Sequence, residues 1–258
     1  MQSIYDRSVF LKLKKIARSG NSEQMWQLGV AYRDGRFECI PEGRVVSIRR
    51  NSRLARMWLE NAAHAGSVGA MIDLAAMFYE WGLKKAGKNR MLLLQSALHW
   101  ELKAWHQGES FVAGNIALTY SALQKRKLCF KWFSRNYAVN REDLVYIGLC
   151  LAIGYGVRRD EEKARMILSQ ILGDLPGTSD DVIVAKKMLW MLDRSCQILI
   201  LDPISDLYRW IRECSLNDAL RRLPPRSSSA TANGTGGSPQ SQTPADLWYN
   251  THTTLWTA

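Results

Sequence analysis

Two distant stretches of this chain carry one phrase. "SIRRNSRLARMWL", Ser47 to Leu59, and "GYGVRRDEEKARMIL", Gly154 to Leu168, both run Arg-Arg, then Asn or Asp, then three residues, then Ala-Arg-Met and a large apolar residue. A phrase that returns at this distance marks a repeated structural unit, and a repeat constrains the fold more tightly than any composition.

Aligning the chain with itself extends the phrase into a skeleton. The first unit reads Leu28-Gly29, Tyr32 and Gly35, then Ala55, Trp58, Ala62-Ala63 and Gly66. The second reads Leu74-Ala75, Phe78 and Gly82, then Ala97, Trp100, Ala104 and Gly108. The third gives Ile116-Ala117 and Tyr120, then Cys129 and Trp132; the fourth gives Ile147-Gly148, Leu151 and Gly154, then Ala164, Ile167 and Gly173. The spacing from Trp58 to Trp100 to Trp132 to Ile167 is 42, 32 and 35 residues, so the loops vary while the helices hold.

Each position has a physical reason. Leu28 and Tyr32 stand four apart and share one face of a first helix. The small residue beside the leucine (Gly29, Ala75, Ala117 or Gly148) lets a second helix approach closely. Ala55 and Trp58, three apart, form the facing stripe of that second helix. Gly35, Gly82 and Gly154 suit a left-handed position after the first helix, and Gly66, Gly108 and Gly173 close the second. Asn51 and Asp160 cap the second helices, and Glu161 and Glu162 fall where the helix dipole favours negative charge. Such hairpins bury their outer faces only by stacking, with the tryptophans wedged between helices.

This skeleton, above all "LGVAYRDG", "ARMWLENAAHAG" and "GYGVRRDEEKARMIL", resembles the Sel-one-like repeat (SLR), a relative of the tetratricopeptide repeat. The resemblance covers about residues 21–173 and implies an all-α, right-handed α/α solenoid of about four helix-turn-helix repeats with capping helices. Unit three departs from the pattern, with "LQKRK" for the glycine loop and Asn136-Tyr137 for the paired alanines. Unit one carries a 15-residue insertion, Arg36 to Arg50, where unit four has three residues, Val157 to Arg159.

Residues 1–20 predict an N-terminal capping helix, with Val9, Leu11, Leu13 and Ile16 near helical spacing. After Gly173, "DLPGTSDD" is a turn cluster. Residues 174–222 then predict two helices that cap the stack around Pro203, with "QILIL" strand-like by composition alone. From residue 223 to 258 the chain turns Ser, Thr, Gly and Pro-rich, which predicts a disordered tail. Trp248, Tyr249 and Trp256 in that tail suit a docking peptide; a dispensable terminus is the plainer reading.

Function is legible by exclusion. There is no Gly-rich phosphate loop, H-E-x-x-H or G-x-S-x-G. His99 and His106 can share a helix face but are an incomplete metal site, so neither metal nor cofactor is expected. No apolar run is long enough to span a bilayer, and the N-terminus lacks the build of a secretory signal. The five cysteines are odd in number and widely spaced, which predicts reduced thiols and a cytoplasmic protein. The charge is uneven: residues 1–140 hold 22 Lys and Arg against 10 Asp and Glu, and the remainder is near neutral. A basic first half favours an acidic partner there: a protein, a nucleic acid or anionic lipid.

The reading is a non-enzymatic scaffold, as the family resemblance also implies: a protein-protein adaptor whose partner carries an acidic surface, with inhibition or regulation of that partner as a narrower form. By analogy with tetratricopeptide stacks, the first helices line a concave face. Side chains there that point away from the packing stripe are the expected contacts: Trp26, Val30, Arg33, Ile72, Tyr79, Asn115, Tyr146 and Leu149, of which Val30 and Leu149 also suit the core. The alternative is a nucleic-acid-binding solenoid, using the basic runs "IRRNSR", "LKKAGKNR" and "QKRK" as an electrostatic track.

Overall fold

Helix pairs recur where the phrase recurs. In the computed structural model, residues 4–39, 44–136, 143–194 and 203–213 are described. They form α1 (Ile4–Arg18), α2 (Ser22–Asp34), β1 (Arg36–Cys39), β2 (Arg44–Ser47), α3 (Ser52–His64), α4 (Val68–Leu83) and α5 (Gly87–His106). Then follow α6 (Val112–Ala122), α7 (Arg126–Asn136), α8 (Asp143–Ile153), α9 (Glu161–Asp174), α10 (Asp180–Asp193) and α11 (Ile204–Glu213). Packing is densest within the pairs α2–α3, α4–α5, α6–α7 and α8–α9, and each pair also packs against the next. The result is an all-α solenoid. We call the first helix of each pair A and the second B.

The doubled phrase is a clip. Asn51 Oδ1 accepts from the Leu54 N–H at 3.0 Å, and Asp160 Oδ1 accepts from the Lys163 N–H at 2.9 Å. The backbone N–H of each cap also reaches back to its A helix, Asn51 to Tyr32 O and Asp160 to Leu151 O, both at 2.9 Å. Tyr32 and Leu151 hold the same position of the skeleton. Gly35 and Gly154 adopt φ of 74° here, which a side chain disfavours.

Close approach follows the sequence reading at two seams. A Cβ on Gly29 would lie 2.7 Å from Leu59 Cγ, and one on Gly148 would lie 2.7 Å from Leu168 Cδ2. Two glycines differ from expectation. Gly82 lies within α4 and faces Leu94, where an added Cβ would sit 2.9 Å from Cδ2, so it serves helix approach rather than the turn. Gly173 lies inside α9, which runs on to Asp174 and ends at an extended Leu175. Gly66 and Gly108 do take the left-handed conformation.

The core runs through the seams. Trp100 and Trp132 are buried, and Trp58 is half-buried against the same core. Trp132 meets Trp105 edge-on at 5.2 Å. Cys129 and Cys150 are buried free thiols, and burial with Cys129 alongside pushes Cys150 up.

The insertion in unit one is an antiparallel hairpin pairing Phe37 with Val46. Val46 is buried, Val45 faces solvent, and Phe37 meets Phe10 of α1 at 6.2 Å. Period-two alternation across "RFEC" was the available signal, while "RVVS" sets two valines side by side.

At the other end, α10 packs on α9 and α8, in the place of a fifth A helix, and α11 packs on α10. α11 also reaches α6 and α8, and so lies across A helices. The described residues belong to one compact unit, residues 1–223. The expected disordered tail, its aromatic residues, "QILIL", Cys196 and Cys214 lie outside the described residues.

Candidate partner-binding face

Six of the eight expected contact residues fall into two groups on the A helices. At the first seam, Asp73 of α4 gathers two residues of α2. Trp26 Nε1–H donates to Asp73 Oδ2 at 2.6 Å, and the Arg33 guanidinium pairs with Asp73 Oδ1 and, at 2.8 Å, with Asp34. The hydrogen bond to Asp34 is the largest of the effects that drive Arg33 far above its ordinary range, against the cost of its partial burial. The Asp34 carboxyl is lowered by the same contact. Gly69 lets the Trp26 indole lie flat on α4: a Cβ there would be 2.9 Å from the ring. Trp26 and Arg33 therefore lock two repeats together as well as facing outward. Val30 and Ile72 are half-buried beside them.

The second group meets α11. Ile204, Leu207 and Ile211 of α11 are fully buried, at i, i+3 and i+7, while Arg209 and Glu213 face solvent. The Ile204 N–H donates to Ser121 Oγ of α6 at 2.7 Å, so the start of α11 is capped by another repeat. Tyr146 lies between two rings, parallel to Phe133 at 4.8 Å and stacked on Tyr208 at 5.1 Å. The Tyr208 hydroxyl donates to Asp181 at 2.6 Å, and Arg212 pairs with Asp180 at 3.0 Å. Burial pushes the Tyr79 phenol up, opposed by Ser205 of α11. Burial likewise raises Tyr146, with Asp181 adding to it. Tyr79 and Tyr146 thus stand under this chain's own helix. Asn115 is exposed, whereas Leu149 is fully buried in α8 and presents no surface.

Sequence reasoning missed Asp73 and α11's docking. It also missed a carboxylate in the seam between α5 and α6. Glu101 is 3% exposed, accepts from the Thr119 hydroxyl at 2.9 Å, and leaves its second oxygen without a partner; burial lifts it to about 7. A cavity of about 360 Å3 opens between the first two repeats, lined by Arg33, Arg50, Met77, Glu80, Trp81 and Lys84. Among the described residues no cluster of His, Cys, Asp or Glu could hold a metal ion, and no helix is long and apolar enough to cross a membrane.

The chain resembles, in structure, a protective antigen present in uropathogenic Escherichia coli strains that displays an SLR fold, with a TM-score of 0.51 and 19% identity. That match covers 88% of this chain and 45% of the antigen, so the chain spans less than half of that protein. A Sel1 repeat protein from Oxalobacter formigenes aligns with a TM-score of 0.47 and 16% identity, over 78% of this chain and 82% of its own. No protein-family model and no curated protein matches the sequence. The helix pairs described above are those of an SLR fold.

Proposed function

We propose that this chain is a non-enzymatic, cytoplasmic protein-interaction scaffold whose A-helix face binds a partner with an acidic surface, as an adaptor or a regulator of that partner. The observation that carries this reading is α11. A short amphipathic helix seats on α6, α8 and α10 by three buried aliphatic side chains, one ring stack and a side-chain cap. A face that takes a helix of its own chain has the chemistry to take one from a partner. Trp26, Val30, Arg33 and Ile72 continue that face beyond α11, and aromatic and arginine side chains are the usual anchors of such contacts.

The test is affinity capture from the source organism, repeated with Ile72→Glu and with Asn115→Arg. Both variants should keep wild-type helicity. Recovery of one specific acidic protein, lost with Ile72→Glu, supports the reading. Retention of that protein by both variants removes the A-helix face as its site.

A further inference from the structure

The turns of a solenoid alternate between two edges, and here the edges differ in charge. On the A-to-B edge, every turn is basic: Arg36, Arg49 and Arg50 between α2 and α3, Lys84 and Lys85 between α4 and α5, Lys125 between α6 and α7, Arg158 and Arg159 between α8 and α9, and Arg194 after α10. On the opposite edge the described turns, residues 19–21, 65–67, 107–111 and 175–179, contain no Lys or Arg.

The fold does not ask for this. Lys and Arg after an A helix do suit its C-terminus, but the same edge holds the N-termini of the B helices, where cations oppose the dipole. The first turns of α3, α5 and α7 nevertheless carry no acidic residue and present Arg53, Lys88 and Lys127, all exposed. Only α9 has the favourable pattern, with Glu161 and Glu162. Arg49, Arg53, Lys84, Lys85, Lys88, Lys125 and Lys127 make no ion pair among the described residues. The cavity bounded by Arg50, Trp81 and Lys84 opens on this same edge.

We propose that the A-to-B edge of the first three repeats is a docking surface for an extended acidic segment of a protein partner, a claim that rests on the scaffold reading above and deepens it. Packed helices stand about 8–10 Å apart, and an extended chain rises about 3.3 Å per residue. An acidic side chain at about every third position therefore meets successive turns. The cavity between repeats one and two, whose lining sets Arg33, Arg50 and Lys84 against the single carboxylate of Glu80 and adds Met77 and Trp81, accepts one acidic side chain with an apolar neighbour. A nucleic acid is the weaker fit: these turns offer no row of exposed aromatic rings on which bases could stack.

The probe is a fluorescent peptide of about twelve residues with Glu at every third position, a length set by the extended rise over three repeats. An oligothymidylate of matched charge is the rival probe. The full chain is titrated with each at about 50 and about 150 mM salt, which measures how much of the binding is screened charge attraction. The peptide should bind the wild type, and Lys84→Glu with Lys85→Glu, or Lys125→Glu with Lys127→Glu, should weaken it at least about fivefold. Lys15→Glu with Lys186→Glu, which makes the same change in net charge on exposed sites of α1 and α10 away from the A-to-B edge, should change it less than about twofold. Equal loss in that control, tighter binding of the oligothymidylate, or no peptide binding at the lower salt overturns the proposal. A captured partner that is lost with Ile72→Glu yet kept by the Lys84 and Lys85 variant would leave the scaffold reading standing and remove the edge.

Discussion

Repeats one and four share a skeleton and differ in what hangs on it. Both clip their B helix to the A helix by the same backbone hydrogen bond, Asn51 to Tyr32 and Asp160 to Leu151. Both seat a leucine on a glycine, Leu59 on Gly29 and Leu168 on Gly148. Between clip and glycine, repeat one inserts a β-hairpin and repeat four a short turn. At the start of the B helix, repeat one presents Arg53 and repeat four presents Glu161 and Glu162. Positions that pack are held constant, while loop length and charge vary; those variable features are where partner recognition can be written.

The packing half of that comparison is sharpest at the stripe position. Its occupants in the outer repeats, Trp58 and Ile167, are half-buried, whereas Trp100 and Trp132 of the middle repeats are 6% and 8% exposed. Trp100→Ala should therefore cost about 3–5 kcal/mol in urea unfolding, and Trp58→Ala clearly less. Equal costs would mean that the repeats do not bury their stripes by stacking.

The middle repeats also hold Glu101, a feature without a counterpart in the skeleton of repeats one and four. Its carboxyl is lifted by burial from 4.5 to about 7. Between those values the unfolded chain has released the proton that the folded chain still holds. Stability from this group is thus lost as pH rises from 4.5 to 7, by on the order of 3 kcal/mol, and is level above that window. Glu101→Gln should flatten the profile. A profile unchanged by the substitution would show that Glu101 is not the buried acid described above.

Gly29→Ala and Gly148→Ala should behave alike. Each gains about 1 kcal/mol of helix propensity but forces a methyl onto a leucine branch, for a net cost of about 1–2 kcal/mol. A neutral result at one site only would break the equivalence of the two seams. The charge half of the comparison predicts opposite signs. Arg53→Glu should stabilise α3 and Glu162→Arg should destabilise α9, each by about 0.3–1 kcal/mol at low salt in thermal melts.

Much of the fold was legible because repetition exposes it. Trp100, Ala97 and Ala104 could be placed in one stripe before any contact was known, and Asn51 and Asp160 could be read as caps from their place ahead of an apolar period. The hairpin was harder, since strands of four residues leave a faint alternation, and Phe37 gains its role only from Phe10 of α1. Gly82 was misplaced because a glycine near a helix end serves a turn or a close contact, and only Leu94 decides between them. The candidate face was legible residue by residue but not in its relations. Nothing local says that Asp73 holds both Trp26 and Arg33, or that Tyr208 stacks on Tyr146, because these partners are far apart in sequence. The basic edge lay between the two: its runs were visible, and their alignment appeared only when the turns were stacked.

The most direct test of interchangeable repeats on one skeleton is a transplant. Residues 35–51 are replaced by the turn of repeat four, residues 154–160, and amide hydrogen exchange is followed across the chain. The account predicts that α2 and α3 keep their protection, while α1, which loses the Phe37 contact to Phe10, exchanges faster. Loss of protection in α2 and α3 would contradict it.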